Sequence, residues 1–185
     1  MIEDAVAAVL DGEVIGLPTD TVYGIGVDPF NDRAVASLFE LKGRPDNKPV
    51  GVLAATVEQA AEIGAMSEYV MQLAREHWPG ALTVVVNPKV VMADWVGDSQ
   101  LRTIGIRVPD HPMARALLDL TGPLAVTSAN RSGGREAMND REARDIFGAD
   151  VAVYLEGSAP GGVASTVIDA TGVEIAVIRE GPIRI

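Results

Sequence analysis

Apolar positions in this chain fall into short runs set between polar loops, and the spacing switches repeatedly between a strand period and a helix period. Residues 13–18, Glu-Val-Ile-Gly-Leu-Pro, form an apolar run that stops at a proline and predicts a short buried strand. Residues 19–26 read as a loop carrying two glycines. Ala34, Val35, Leu38 and Leu41 stand at helical spacing, so a helix capped by Asn31 or Asp32 is expected to run to about Leu41. Residues 50–54 read as a strand. Thr56-Val57-Glu58-Gln59 has the spacing of a capping box and opens the next helix. Another helix over 67–77 ends at Trp78-Pro79-Gly80. β-branched runs predict strands at 81–86 and 103–108, either side of an irregular stretch at 87–100. A helix is expected over 112–120, closed by Gly122-Pro123, then a strand at 124–127 and a helix from Asn139 to Phe147. Strands at 151–155, 166–169 and 173–178 complete the reading.

Strands and helices alternate with no repeat and no low-complexity linker. That pattern predicts one α/β domain over residues 1–185, with a twisted mixed sheet flanked by helices. The late strands have no helices between them, so part of the sheet is expected to be antiparallel.

Composition narrows the chemistry. Aromatic residues make up 4% of the 185, so Val, Ile, Leu and Ala must build the core. Cys is absent, which removes disulfides, thiolate metal sites and thiol catalysis. The two histidines, His77 and His111, stand in different segments, against a His-based zinc site; both read as satisfied structural residues. No apolar run reaches the roughly 20 residues needed to cross a bilayer, and Met1-Ile2-Glu3-Asp4 lacks the basic start of a signal peptide. A cytoplasmic protein without a membrane partner is the expectation.

Against a formal net charge of -11, the loop Lys42-Gly43-Arg44-Pro45-Asp46-Asn47-Lys48-Pro49 concentrates three cations. Its prolines and glycine make it stiff and non-helical. A basic loop on an acidic chain suggests a local site for a phosphate-bearing small molecule; a nucleic-acid face would need basic charge spread widely. Arg44 offers a planar fork, and Lys42 and Lys48 act as point charges. Three further polar loops, at 18–24, 127–133 and 162–166, follow or precede strands, and open α/β sheets place ligands at strand ends. Each has a plainer reading. Asp20 can bond nearby amides in an ordinary turn, Ser128 and Asn130 are common turn formers, and Ser165 and Thr166 can be strand-edge hydroxyls. Arg107 is different, because an arginine on an apolar strand must reach a carboxylate, from the protein or from a ligand. Period-two alternation puts Thr103 on the same face as Arg107. No P-loop, no Gly-x-Gly-x-x-Gly and no Gly-x-Ser-x-Gly occurs.

Taken together, the ordered segments Pro18-Thr19-Asp20-Thr21-Val22-Tyr23-Gly24, Lys42-Gly43-Arg44-Pro45, Lys48-Pro49, Trp78-Pro79-Gly80-Ala81-Leu82-Thr83, Ile106-Arg107-Val108-Pro109, Thr127-Ser128-Ala129-Asn130, Ser165-Thr166-Val167-Ile168-Asp169 and Ile178-Arg179-Glu180-Gly181 resemble the YrdC/Sua5 family of threonylcarbamoyl-adenylate synthases. The length is similar to the family's short form. The resemblance implies a YrdC-like fold and a nucleotidyltransferase that makes threonylcarbamoyl-AMP and pyrophosphate from L-threonine, bicarbonate and ATP. The product would pass to tRNA threonylcarbamoyl-transfer proteins for modification of adenosine 37. The same resemblance carries ATP binding onto Lys42, Arg44, Lys48, Thr103, Ser128, Asn130 and Arg179, and threonine binding onto Thr21, Arg107, Thr127 and Ser165. No covalent nucleophile is implied; Lys42 and Arg44 would act electrostatically, with Mg²⁺ held mainly by phosphates and water. The alternative is a YciO-like paralogue serving as an RNA- or nucleotide-binding module, with a weak RNA contact through its clustered cations.

Overall fold

Helix caps and strand periodicity decide where the elements begin and end. The computed structural model describes residues 1–43, 49–161 and 163–185, so the expectations for Arg44 and Lys48 lie outside the described residues. In chain order the elements are α1 (Ile2–Leu10), β1 (Ile15–Leu17), β2 (Gly24–Val27), α2 (Asp32–Lys42), β3 (Gly51–Leu53), α3 (Val57–Ile63), α4 (Glu68–His77), β4 (Leu82–Val86), β5 (Ile104–Arg107), α5 (Pro112–Thr121), β6 (Leu124–Ser128), α6 (Asp140–Phe147), β7 (Val153–Tyr154), β8 (Thr166–Asp169) and β9 (Ala176–Arg179). Asn31, Thr56, Ser67 and Asn139 each accept a backbone N–H of the following first turn, as their positions predict. The capping box at Thr56 closes differently from the expectation. Gln59 Oε1 accepts from Ala55 N at 2.7 Å, while its Nε2 donates to Leu118 O at 3.2 Å, which staples α3 to α5.

One mixed sheet runs through the molecule in the order β7-β1-β2-β6-β3-β5-β4-β8-β9. β1 with β7, β3 with β5 and β4 with β8 are parallel; the remaining neighbours are antiparallel, including the late pair β8 and β9. The two sheet faces feed two apolar layers. Val35, Leu38, Ile63, Leu73 and Phe147, from α2, α3, α4 and α6, pack on one face with Ile25, Val52, Val84 and Ile106. Ala5, Val9, Leu117 and Leu118, from α1 and α5, cover Ile15, Leu17, Leu53 and Leu124 on the other. Each fully buried Leu or Ile contributes roughly 1.5–3 kcal/mol, so both layers are needed to hold the sheet.

Two elements depart from the sequence reading. Helix α1 was not foreseen. Its buried stripe is only Ala5, Ala8 and Val9, a signal too small to register until α5 packs against it. Strand β2 falls where a glycine loop was expected. Gly24 and Gly26 pair with Ser128 and Val126 of β6, and a Cβ on either would sit 2.8 Å from a Val126 methyl carbon. The glycines here allow close strand approach and do not mark a turn. Gly26→Ala is therefore expected to lower stability by about 1–3 kcal/mol, read from the midpoint of urea unfolding, because Val126 and the Ala125 carbonyl must both give way.

Candidate functional site

The α1/α5 layer covers only part of its sheet face. The remainder forms the floor of a cavity of about 290 Å³, lined by Thr19, Thr21 and Gly24, by Gly51 and Leu53, by Thr83, by Gly105 and Arg107, by Val126 to Ser128, and by Ser165 and Arg179. Register explains why these residues meet. Gly51 pairs with Val126 of β6, and Leu53 with Arg107 of β5. The floor is low because Gly51 and Gly105 carry no side chain; an added Cβ would come within 3.2 Å of the Gly105 carbonyl or the Thr83 methyl. The site thus lies over a face of the sheet and is walled by strand-end loops of the kind the sequence reading pointed to.

The walls are held by hydrogen bonds between loops distant in sequence. Arg107 is 7% exposed. Its Nη2 donates to Asp20 Oδ1 at 2.7 Å and its Nη1 to Thr21 Oγ1 at 2.9 Å, while its Nε is buried without a partner among the described residues. Burial lowers the Arg107 pKa, Asp20 opposes that shift, and the like charge of Arg179 adds to it. The demand for a carboxylate is met by the protein itself. Asp20 is therefore no ordinary turn former bonding nearby amides, as its plainer reading had it; it is the counter-ion of a cation 87 positions away.

On the opposite wall, Lys42 is buried at the C-terminal end of α2. Its Nζ donates to Ser128 O and to Asn130 Oδ1, both at 2.7 Å. Asn130 Oδ1 also accepts from Ser128 Oγ at 2.7 Å, and Asn130 Nδ2 donates to Arg131 O and Gly134 O. All four hydrogen-bonding positions of this amide are thus used internally. Tyr23 joins the two walls. Its N donates to Ala137 O and its carbonyl accepts from Ala129 N, while its phenol donates to Leu155 O at 2.7 Å. Burial pushes that phenol well above its usual range. At the far end, Arg179 Nε and Nη2 donate to Ser165 O, and Ser165 Oγ lies 2.8 Å from Thr83 Oγ1.

Of the site residues named from sequence, Thr21, Arg107, Thr127, Ser128, Ser165 and Arg179 line this one cavity. Lys42 and Asn130 stand behind its rim. Thr103 shares the Arg107 face by alternation, but four residues of strand carry it about 13 Å away. It lines a different hollow with Trp95 and Asp98, and exchanges backbone hydrogen bonds with Asp98. His111 does not fit its expected reading as a satisfied histidine, since its Nδ1 is buried without a partner among the described residues and burial lowers its pKa. Sequence reasoning passed over Asp20, Thr83 and Glu136, the last at the cavity wall. For Asp20 a usable signal existed: Arg107 needed an acid, and Asp20 lies in a strand-end loop.

No group of three or more His, Cys, Asp or Glu able to hold a metal ion occurs among the described residues. No helix among them is long and apolar enough to cross a membrane.

Known proteins resemble this chain in sequence and in fold. The Sua5/YciO/YrdC family model, described as telomere recombination, matches residues 7–181. A protein of Mycobacterium tuberculosis (strain ATCC 25618 / H37Rv) is 41% identical over 186 residues, covering 98% of this chain and 84% of its own length. The threonylcarbamoyl-AMP synthase of Bacillus subtilis (strain 168) is 36% identical over 186 residues, covering 98% of this chain and 54% of its own. The crystal structure of P. abyssi Sua5 complexed with L-threonine superposes with a TM-score of 0.91 at 32% identity, covering 97% of this chain and 54% of that one. The chain thus spans about half the length of the last two proteins.

The saturated amide makes a testable point. Asn130→Ala removes an acceptor from a buried ammonium and from Ser128, and is expected to cost about 1.5–3 kcal/mol in urea unfolding, whether or not any ligand is present.

Proposed function

The chain belongs to the Sua5/YciO/YrdC family, and on that premise we propose that it is a nucleotidyltransferase that forms threonylcarbamoyl-AMP and pyrophosphate from L-threonine, bicarbonate and ATP. One observation carries the reading. A single cavity joins Arg107 and Thr21, assigned to the amino acid, with Ser128 and Arg179, assigned to the nucleotide. Thr127 and Ser165, also assigned to threonine, line the same hollow. Arg44 and Lys48 enter the nucleotide assignment on their motif alone, and Lys42 and Asn130 support the rim that the nucleotide would meet. The position of Thr103 gives its assignment no geometric support.

The chemistry suits such a wall. The threonine ammonium first gives up a proton; the neutral amine then attacks the carbon of bicarbonate, and loss of water leaves a carbamate. A carbamate oxygen then attacks the α-phosphorus, the bond to the β-phosphate breaks, and pyrophosphate leaves. No side chain has to form a covalent bond. Rate comes from holding the reactants in line and from fixed cations facing the growing negative charge. Bound to the triphosphate, Mg²⁺ would supply further charge neutralisation. The donor set fits that mode of binding, since hydroxyls and one carboxylate, Glu136, line the cavity and no acidic cluster among the described residues would hold a bare ion.

The reading implies a cytoplasmic protein whose product passes to tRNA threonylcarbamoyl-transfer proteins. A net charge of -11 and a single concave site favour it over an RNA-binding module, which would need a broad basic surface. Purified protein should release pyrophosphate from ATP when L-threonine and bicarbonate are both present, and omission of either should abolish release; a complete mixture that yields none overturns the reading. In calorimetric titrations Arg107→Ala should weaken threonine binding roughly ten- to a hundredfold, the loss of a charge-assisted hydrogen bond, and more than it weakens ATP binding. Arg44→Ala should do the reverse.

A further inference from the structure

Asp20 is largely buried, with 14% of its side chain exposed, and it does not line the cavity; it stands behind Arg107. Its neighbour Thr21 holds the other terminal nitrogen of the guanidinium. The protons in this loop have fixed directions. Thr19 Oγ1 lies 2.7 Å from Val22 O, an acceptor only, so the Thr19 hydroxyl is the donor there. In the 3.1 Å contact between the two threonine hydroxyls, Thr21 must then donate and Thr19 accept. Thr19 Oγ1 accepts from Thr21 N as well, at 3.2 Å. Thr21 Oγ1 thus has its proton turned away and its lone pairs turned toward Arg107. Rotating the guanidinium would break the Asp20 and Thr21 bonds together and strand a buried charge. Five N–H groups belong to Arg107 and two are spent in this way, which leaves a second N–H on each terminal nitrogen for an incoming anion.

We propose that Asp20 is a positioning residue for the amino-acid substrate, clamping Arg107 from behind so that a ligand carboxylate meets donors already in place. The proposal rests on the synthase reading above. Charge balance agrees with it. Asp20 offsets Arg107 while the site is empty, and Arg179 acts on Arg107 as a second cation, so positive charge faces a second carboxylate at that end of a cavity whose lining also carries Glu136. A guanidinium left to swing would present its fork in many orientations, and misplacement by an ångström is enough to cost a large factor in binding and rate.

Asp20→Asn and Asp20→Ala test it, with L-threonine and ATP titrated separately by calorimetry and the Arg107 side-chain N–H signals followed by ¹H–¹⁵N NMR. Asp20→Asn is expected to weaken threonine binding about tenfold and leave ATP binding within about twofold, because the guanidinium alone is loosened. Asp20→Ala should be worse. The Arg107 signals, sharp in the native chain, should broaden in both. Threonine binding that is unchanged or tighter in a folded Asp20→Asn protein overturns the proposal, since the carboxylate would then be competing with the substrate. If Asp20→Ala fails to fold, Asp20→Asn, which keeps an acceptor oxygen, still decides. If the native chain binds no threonine, the synthase reading fails; the clamp is then judged by the Arg107 signals, and unchanged signals in Asp20→Asn overturn it.

Discussion

A guanidinium set into the face of a β-sheet cannot stay there alone, and the organisation of this site follows from that constraint. Arg107 projects from β5 onto a face it shares with apolar side chains, bare backbone and the hydroxyls of Thr83 and Ser128. Its charge obliges the loop after β1 to fold back across the sheet and deliver Asp20 and Thr21. Breaking such a pair by removing one partner typically costs about 3–5 kcal/mol, more than most single side chains contribute to a fold of this size. The loop that frames one wall is therefore held by electrostatics, and the cavity keeps its shape without a helix over it.

The other wall repeats the device with different chemistry. Lys42 ends α2, where its charge also suits the helix dipole, and its ammonium is absorbed by Ser128 and Asn130. Tyr23 then links this wall to the first through both of its backbone groups. Two cations on an acidic chain are in this way converted into loop anchors. Arg179, whose Nε and Nη2 donate to Ser165, is a third anchor on the far side.

Much of this could be read from residue order, and the exceptions have physical causes. The caps at Asn31, Thr56 and Asn139 and the apolar strands β4, β5, β6 and β8 are local signals, and they stand within a residue of where the pattern placed them. Helix α1 and strand β2 depend on partners far along the chain. Ala5 and Ala8 count as core only once α5 lies beside them, and Gly24 and Gly26 read as strand only once Val126 occupies the space above them. The hydroxyl loops were legible only as an ordered set of motifs, since each one alone reads equally well as a turn or a strand edge. Thr103 shows the limit of face-counting, since alternation sets the side of the sheet and says nothing of distance along it. Asp20 shows another: the need for an acid was evident in Arg107, but which acid would answer depended on how a loop crossed the sheet.

The glycine floor limits what this cavity can become. Where side chains line a pocket, a smaller residue makes room, and the pocket can be enlarged one substitution at a time. Gly51 and Gly105 have nothing left to trim, so mutation there can only raise the base toward the ligand. Accommodation of a bulkier guest would have to come from side chains beside that floor, such as Leu53 and Val126, or from the anchored loops, whose charges are the most costly parts of the site to disturb. At its floor the chamber is thus free to grow shallower and unable to deepen, which makes one limit on guest fit a property of the backbone.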